Sequence, residues 1–174
     1  MIAFTVHASG PLATIQDLGR PGYAGVGVSV SGAADRAALI RANGLVGNLA
    51  GAPAIESTLG GLILGVESPL TVAVAGAPAP VSVNDTLVDV SGPIRLTAGD
   101  VVSVGMPVTG LRVYVAIRGG IAVEPVLGSA SWDSLARIGP PPLGRGAVIR
   151  RGYTIAPREG SAGIPRPDSL PDSL

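Results

Sequence analysis

The side chains best suited to chemistry lie in a glycine-rich stretch over residues 14–36, which reads TIQDLGRPGYAGVGVSVSGAADR. Gln16, Asp17 and Arg20 supply an amide, a carboxylate and a guanidinium, which such a loop can bring against a ligand or a partner. Pro21-Gly22 fits the centre of a type II turn, because proline sets φ and glycine tolerates a positive φ. Composition alone favours the alternative in which Asp17 and Arg20 pair with each other or cap the loop.

A second set of polar residues follows this stretch and comprises Asp35, Asn43, Asn48 and Glu56. Glu56 lies inside the apolar segment AIESTL, where a carboxylate costs free energy unless it is paired or exposed. It could therefore serve as a general base or as an anchor for an arginine. An outward-facing glutamate on a half-buried strand is at least an equal interpretation.

Several residue types are missing, and their absence narrows the possible chemistry. The chain has no cysteine, which removes disulfides, thiolate nucleophiles and cysteine-type zinc sites. All 12 basic residues are arginines, which excludes a Walker phosphate loop, a Schiff-base lysine and a biotinylated lysine on this chain. His7 is the only histidine, so no multi-histidine metal site is expected, and we predict a turn or surface position for it. The only tryptophan, Trp132, is predicted to be a packed loop residue.

Charge and hydropathy exclude two further classes of function. Twelve basic and twelve acidic residues give a net charge of zero, which argues against nucleic-acid binding through bulk charge and against a polybasic membrane patch. The start, MIAFTVHASG, does not resemble a signal peptide, and the most apolar region, residues 61–83, is interrupted by Glu67 and three prolines. We therefore expect a soluble, cytoplasmic protein.

The residues discussed above must be positioned by a mainly β fold. The length of 174 residues and the 47% hydrophobic content suit one domain, and 26 glycines with 16 prolines indicate many tight turns between short strands. Many short strands at close spacing predict a sandwich or a barrel. The predicted strands cover residues 2–7, 54–59, 62–66, 70–75, 81–83, 94–97, 101–104 and 111–117, with weaker candidates at 147–150 and 153–156.

One helix is predicted over about residues 34–46. Ser31-Gly32 supplies cap-type residues, and Asp35 places a carboxylate in the first turn, where the helix dipole favours it. Gly47-Asn48 is a reasonable end. The side chains expected to face the core recur at helical spacing and are Leu39, Ala42 and Val46.

Five motifs in order give the chain a resemblance to the biotin-dependent carboxyltransferase family, which includes allophanate hydrolase subunit 2, KipA and the C-subunit of 5-oxoprolinase. The family pattern has a QDLGRPG loop, an SGA-x-D helix start, an LVGN helix end, an LE-x-TLGG strand and a long segment ending in VLGS-x-S-x-D. Here these motifs are found at residues 16–22, 31–35, 45–48 and 55–61 and in VYVAIRGGIAVEPVLGSASWD.

The resemblance implies a cyclophilin-like β-barrel with one α-helix over residues 1–156. Residues 157–174 are rich in proline and serine and are expected to form a linker or a disordered tail. Family members are commonly near twice as long, and the match fades close to Pro157, where the family has its interdomain linker.

The resemblance also implies a function. It predicts a subunit of an ATP-dependent 5-oxoprolinase, or of a urea- or allophanate-type carboxyltransferase complex, that acts on a small amide or lactam. Such a subunit, a hydrolase or carboxyltransferase component, would need a partner like KipI or allophanate hydrolase subunit 1. ATP, and biotin if it is used, would act through partner chains, since this chain has no lysine. The alternative is a KipA-like regulatory binding module without catalysis, or a truncated remnant of such a subunit.

Residues that match the family motifs are the candidates for the site, and no metal is expected. Arg20 is the candidate clamp for an oxyanion or carboxylate, because its planar fork can bind such groups through two bonds. The candidate catalytic residues are Arg20, Asp17 and Glu56, and the candidate substrate-binding residues are Gln16, Asp35, Asn43 and Asn48.

Overall fold

Short antiparallel strands make up most of the fold in the computed structural model, which describes residues 1–154. Within that range the chain forms one α-helix, α1 (Arg36–Leu45), and a short 3-10 helix at Ala24–Val26. The strands are β1 (Ile2–Ser9), β2 (Leu12–Gln16), β3 (Ala54–Thr58), β4 (Leu62–Val66), β5 (Leu70–Gly76), β6 (Val81–Val83), β7 (Thr86–Leu87), β8 (Ile94–Leu96), β9 (Val101–Val104), β10 (Arg112–Ile117), β11 (Gly119–Ile121) and β12 (Val148–Thr154).

The strands form two sheets, with the orders β11-β12-β1-β4-β9-β6-β7 and β2-β3-β10-β5-β8. The predicted mainly β class with one helix is confirmed. Within residues 1–154 neither sheet closes on itself as a hydrogen-bonded barrel, because each has two terminal strands. At the β2 end, loops take the place of a further strand: the N–H groups of Trp132 and Leu143 donate to the carbonyls of Ile15 and Ala13.

The core lies between the two sheets, and β10 shows how the sequence pattern builds it. Because side chains alternate along a strand, Val113, Val115 and Ile117 enter the main core between the sheets. Tyr114 and Ala116 point to the opposite face of the small sheet and pack in a second core that includes helix α1. The small sheet is therefore covered on both faces near its centre.

Helix α1 begins at Arg36, two positions after the predicted start at about residue 34. Asp35 is the N-cap rather than a first-turn residue, and its Oδ1 accepts a hydrogen bond of 2.9 Å from the N–H of Ala38. Ser31-Gly32 lies upstream in the loop and takes no part in this cap. A short carboxylate can reach the third N–H of the helix only from the N-cap position.

The C-terminal end and the buried face of α1 agree with the prediction. The helix ends at Leu45, and Gly47 takes the left-handed conformation, with φ of 74°, that commonly follows a helix. The side chains predicted to face the core, Leu39, Ala42 and Val46, are all buried.

Predicted strands recur as β1, β3, β4, β5, β6, β8, β9 and β10, with small shifts at their ends. The two weak C-terminal candidates are joined in one strand, β12, and residues 155 and 156 of the second candidate lie outside the described residues. Three strands were missed: β2, β7 and β11. The missed β2 does alternate, with Ala13 and Ile15 in the main core and the buried polar residues Thr14 and Gln16 on the other face, but the alternation extends over only these four residues.

His7 lies in β1 and is exposed, as predicted for a surface position. No helix in residues 1–154 is long and apolar enough to cross a bilayer, which takes about 20 residues. The predicted domain boundary near residue 156 lies outside the described residues.

Candidate functional site

A polar cavity of about 260 Å³ lies on the outer face of the small sheet, at its β2 edge and beside the start of α1. Strands β2 and β3, the first residue of β10, the loop before α1 and the segment around Trp132 form its wall. Its polar lining includes Gln16, Ser29, Ser31, Glu56, Arg112 and Asp133. Groups from distant parts of the chain therefore converge on one small cavity, as they do in ligand sites.

A larger cavity, of about 570 Å³, lies elsewhere and does not contain the predicted site residues. Its wall is formed mainly by residues 74–80 and 89–91, with Arg41 and Val108. The smaller cavity is the better candidate site, because polar groups able to orient a ligand converge there.

Asp17 is buried beside this cavity and accepts four hydrogen bonds. Its Oδ1 accepts from the Ser129 hydroxyl at 2.6 Å, the Ser131 hydroxyl at 2.5 Å and the N–H of Gly19 at 2.7 Å. Its Oδ2 accepts from the N–H of Ala130 at 2.7 Å. The carboxylate thus holds the QDLGRPG loop against the segment 129–131, and three of its four hydrogen bonds are to Oδ1.

Arg20 is 1% exposed, and its guanidinium donates only to neutral acceptors. Its Nε donates to the carbonyl of Val126 at 3.3 Å, its Nη1 donates to the Ser31 hydroxyl at 2.9 Å, and its Nη2 donates to the carbonyl of Ser131. Asp17 and Arg20 do not pair: among residues 1–154 the one ion pair joins Arg112 and Glu56. Both instead bind Ser131, which sequence reasoning missed.

Gln16 lies in the wall of the cavity. Its Nε2 donates to the Thr14 hydroxyl and to the carbonyl of Trp132, each at 3.1 Å. Its Oε1 is buried and has no hydrogen-bond partner in residues 1–154. A buried acceptor without a donor is uncommon and costs free energy. Trp132, predicted to be a packed loop residue, is a half-buried loop residue in the same wall.

Glu56 is a buried residue of the cavity wall, and three groups hold its carboxylate. Oε2 accepts from the N–H of Ala34 at 2.9 Å and from the Tyr114 hydroxyl at 2.6 Å. Oε1 lies 3.3 Å from Nε of Arg112. Glu56 is thus an anchor for an arginine and is not the outward-facing residue of the alternative interpretation.

Tyr114 connects this ion pair to helix α1. Its hydroxyl oxygen accepts from the N–H of Asp35 at 2.8 Å while its proton is donated to Glu56. Burial, followed by the hydrogen bond to the Glu56 carboxylate, raises the pKa of Tyr114 well above its ordinary value. The hydroxyl therefore stays protonated and remains a donor.

Asp133 is the second carboxylate of the cavity wall and is not among the residues predicted from the sequence. Its Oδ2 accepts from the hydroxyls of Ser29 and Ser31, each at 2.7 Å, and its Oδ1 accepts from the N–H groups of Leu135 and Ala136. The N–H of Ala136, followed by the two hydroxyls, holds the pKa of Asp133 far below its ordinary range. The group is therefore a fixed negative charge.

Asn43 and Asn48 are buried but do not line the polar cavity. Nδ2 of Asn48 donates to Oδ1 of Asn43 at 3.0 Å, and Oδ1 of Asn48 accepts from the N–H of Gly119 at 2.8 Å. The pair ties the end of α1 to the segment that follows β10. Asp35 is exposed and lines a neighbouring cavity of about 420 Å³ instead.

The structure therefore divides the seven predicted residues into three groups. Gln16 and Glu56 line the cavity, Asp17 and Arg20 hold the loop behind it, and the remaining three support or cap the helix. The signal that could have indicated Arg112 is a charged residue at the start of an apolar strand. Within residues 1–154 there is no group of three or more residues able to hold a metal ion.

Comparison with known proteins gives the chain a family. The model of the carboxyltransferase domain, subdomain A and B, matches residues 26–173. Urea amidolyase of Lachancea kluyveri is 37% identical over an alignment 175 positions long, which covers 98% of this chain and 9% of that protein. The C-subunit of 5-oxoprolinase from Escherichia coli K12 is 41% identical over 131 residues, 75% of this chain and 42% of that protein. The chain thus spans less than half the length of either relative.

Solved structures agree with this assignment. Urea amidolyase of Kluyveromyces lactis is 36% identical with a TM-score of 0.84, and the match covers 89% of this chain and 10% of that one. Urea carboxylase of the same organism is 35% identical with a TM-score of 0.80, covering 89% of this chain and 15% of that one. The resemblance seen in the sequence motifs is confirmed: this chain belongs to the carboxyltransferase domain family of subdomains A and B.

Proposed function

We propose that this chain is part of a 5-oxoprolinase or of a urea- or allophanate-type carboxyltransferase complex that acts on a small amide or lactam. The observation that carries the proposal is the convergence of Gln16, Glu56, Arg112 and Asp133 on one polar cavity of about 260 Å³. A cavity of that size suits a ligand of a few heavy atoms, and it offers both donors and acceptors, which an amide requires.

In this proposal the predicted residues have different roles. Glu56 holds Arg112 and the segment before α1, since its carboxylate accepts two hydrogen bonds and faces a guanidinium. Asp17 and Arg20 act by holding the loop that follows Gln16, and their side chains do not line the cavity. The cavity itself would bind and orient the amide group.

Cofactors and partners enter from outside this chain. Without lysine it cannot carry covalent biotin or form a Walker phosphate loop, so ATP, and biotin if it is used, would be held by a partner like KipI or allophanate hydrolase subunit 1. The donors and acceptors of the cavity suit the ureido group of biotin as well as a substrate amide, because both present a carbonyl beside N–H groups. We place such a complex in the cytoplasm.

Co-expression with the partner subunits tests this function. We expect ATP-dependent loss of 5-oxo-L-proline or urea when this chain is present, and none with the partners alone. A full-length relative such as the Escherichia coli protein is the positive control. If that relative restores turnover with the same partners and this chain does not, the catalytic proposal fails.

A regulatory binding module of the KipA type is the second candidate. The observation that favours it is a group of exposed apolar side chains at the two neighbouring cavities: Leu12 and Leu135 line the polar cavity, and Leu111 lines the cavity beside it. Affinity capture of the KipI-like subunit by this chain, with no turnover in the assay above, would support this candidate. Turnover in that assay would exclude a purely regulatory role.

A further inference from the structure

Arg112 is the only cationic residue in the wall of the polar cavity formed by residues 1–154. Its side chain is 30% exposed, and it also lines the neighbouring cavity of about 420 Å³. The guanidinium of Arg112 therefore lies between the two cavities, where a ligand can contact it. The family motifs predict Arg20 as the clamp for a ligand, although Arg20 is 1% exposed.

The hydrogen-bond donors of the two arginines differ. A guanidinium has five N–H donors. All three nitrogens of Arg20 donate to protein acceptors. In Arg112, Nε faces Glu56 and Nη1 donates to the Thr58 hydroxyl, whereas Nη2 has no acceptor within residues 1–154. Arg112 thus retains donors for a ligand.

The charges around Arg112 indicate what kind of acceptor it can take. Glu56 neutralises the guanidinium, and the Asp133 carboxylate adds one more negative charge to the same wall. An anionic ligand group would meet two carboxylates for one guanidinium, so like-charge repulsion opposes it. A neutral carbonyl oxygen accepts hydrogen bonds from the guanidinium without that repulsion.

The position of the guanidinium is set by Glu56. Tyr114 pairs with Glu56 in the β10–β3 ladder and Arg112 pairs with Thr58, so these side chains lie on one face of the sheet. Glu56 is fixed from two further sides, by the N–H of Ala34 and the hydroxyl of Tyr114. Ala34, just before α1, and Tyr114 of β10 thus hold Glu56, and Glu56 in turn orients the guanidinium of Arg112.

We propose that Arg112 is the residue that binds the carbonyl oxygen of the amide ligand, and that Glu56 is its positioning residue. This inference rests on the proposed function, which assigns the cavity to a small amide. The ligand-binding role predicted for the buried Arg20 is thereby assigned to Arg112, which a ligand can contact.

The fluorescence of Trp132 provides a test that needs neither partners nor turnover, because this only tryptophan lies in the cavity wall. The full chain is titrated with 2-pyrrolidinone, a neutral lactam, and with 5-oxo-L-proline, which adds a carboxylate. We expect Arg112→Gln to weaken lactam binding about tenfold or more, as expected when hydrogen bonds from a charged donor are lost. Arg112→Lys should retain part of the affinity, since it keeps the charge but not the planar fork. Arg118→Gln, an exposed position outside the cavity wall, is the matched control and should bind like the wild type.

Glu56→Gln tests the positioning role. Glutamine keeps an acceptor for Tyr114 and loses the charge that holds Arg112, so we expect weaker lactam binding than in the wild type. In the Arg112→Gln background, Glu56→Gln should not weaken lactam binding any further. If Glu56 contributed only to the structure, the losses of affinity from the two substitutions would instead add. Thermal unfolding of every variant identifies any that do not fold, and Arg112→Lys then provides the comparison for Arg112.

The outcomes distinguish this inference from the proposed function. If the wild type binds the lactam and Arg112→Gln binds it equally well, the role of Arg112 is overturned and the proposed function stands. If the wild type binds neither compound, the assignment of the cavity to an amide is overturned, and the role of Arg112 with it. Binding of 5-oxo-L-proline much tighter than 2-pyrrolidinone would overturn the preference for a neutral carbonyl.

Discussion

Arg20 and Arg112 belong to the same region of the molecule and differ in what surrounds them. Arg20 is enclosed, and its guanidinium binds carbonyls and a hydroxyl of two loops. Arg112 is part-exposed, paired with a carboxylate and in contact with two cavities. A motif arginine can thus serve the structure, while an arginine outside the most distinctive motif is placed for binding. Burial and the nature of the acceptors, more than residue type, separate these roles.

Arg20→Met should have the largest effect on stability. It removes every donor that Arg20 gives to the buried Ser131 carbonyl and the Ser31 hydroxyl, and each lost partner costs about 1–3 kcal/mol. We expect the free energy of unfolding to fall by about 3 kcal/mol or more, measured by chemical denaturation. Arg112→Met, the matched change, should cost only about 1–2 kcal/mol, because Glu56 keeps two donors. Equal losses in the two variants would contradict the comparison.

Gly19→Ala should destabilise the buried loop that holds Arg20. Gly19 has φ of 89°, and a Cβ there would collide with the carbonyl oxygen of Val30. We expect a loss of about 2 kcal/mol in the free energy of unfolding, since both the backbone and the contact are strained. The control is Gly25→Ala in the same loop, where a Cβ meets nothing within 4 Å, and thermal unfolding should show little change. A loop that tolerates both substitutions equally would not be the rigid support inferred for Arg20.

Asp133→Asn should have the smallest effect on the free energy of unfolding, and that effect should depend on pH. Its folded-state pKa lies below its ordinary value, so its charged form contributes stability that is present above about pH 4. This contribution is lost as the pH falls from about 4 through the lower folded-state pKa. The difference in unfolding free energy between the wild type and Asp133→Asn should therefore narrow below about pH 4. The exposed neighbour Ser134 provides the control Ser134→Ala, whose difference from the wild type should not change with pH.

Most elements of the fold could be predicted from local sequence. Strands such as Leu62–Val66 and Val101–Val104 show short β-rich runs bounded by turn residues, and α1 shows helical spacing with an N-cap and a glycine end. β2 was missed, because its alternation of Ala13 and Ile15 with Thr14 and Gln16 extends over only four residues. Whether the sheets close could not be predicted either, since that depends on which loops meet the last strand.

The sequence by itself determines which residue types are available to the site. It has no lysine and no cysteine, a glycine-rich stretch with Gln16 and Arg20, and a glutamate in an apolar segment. Its motifs also indicate the family. Which charged groups a ligand can reach depends instead on how the chain packs. Ser131, which binds Arg20, and Ser29, which binds Asp133, each lie more than 100 positions from their partner along the chain, and hydrogen bonds across such separations follow from sheet packing and not from local spacing. The same packing sets burial, which places Arg20 behind the cavity and Arg112 at its wall.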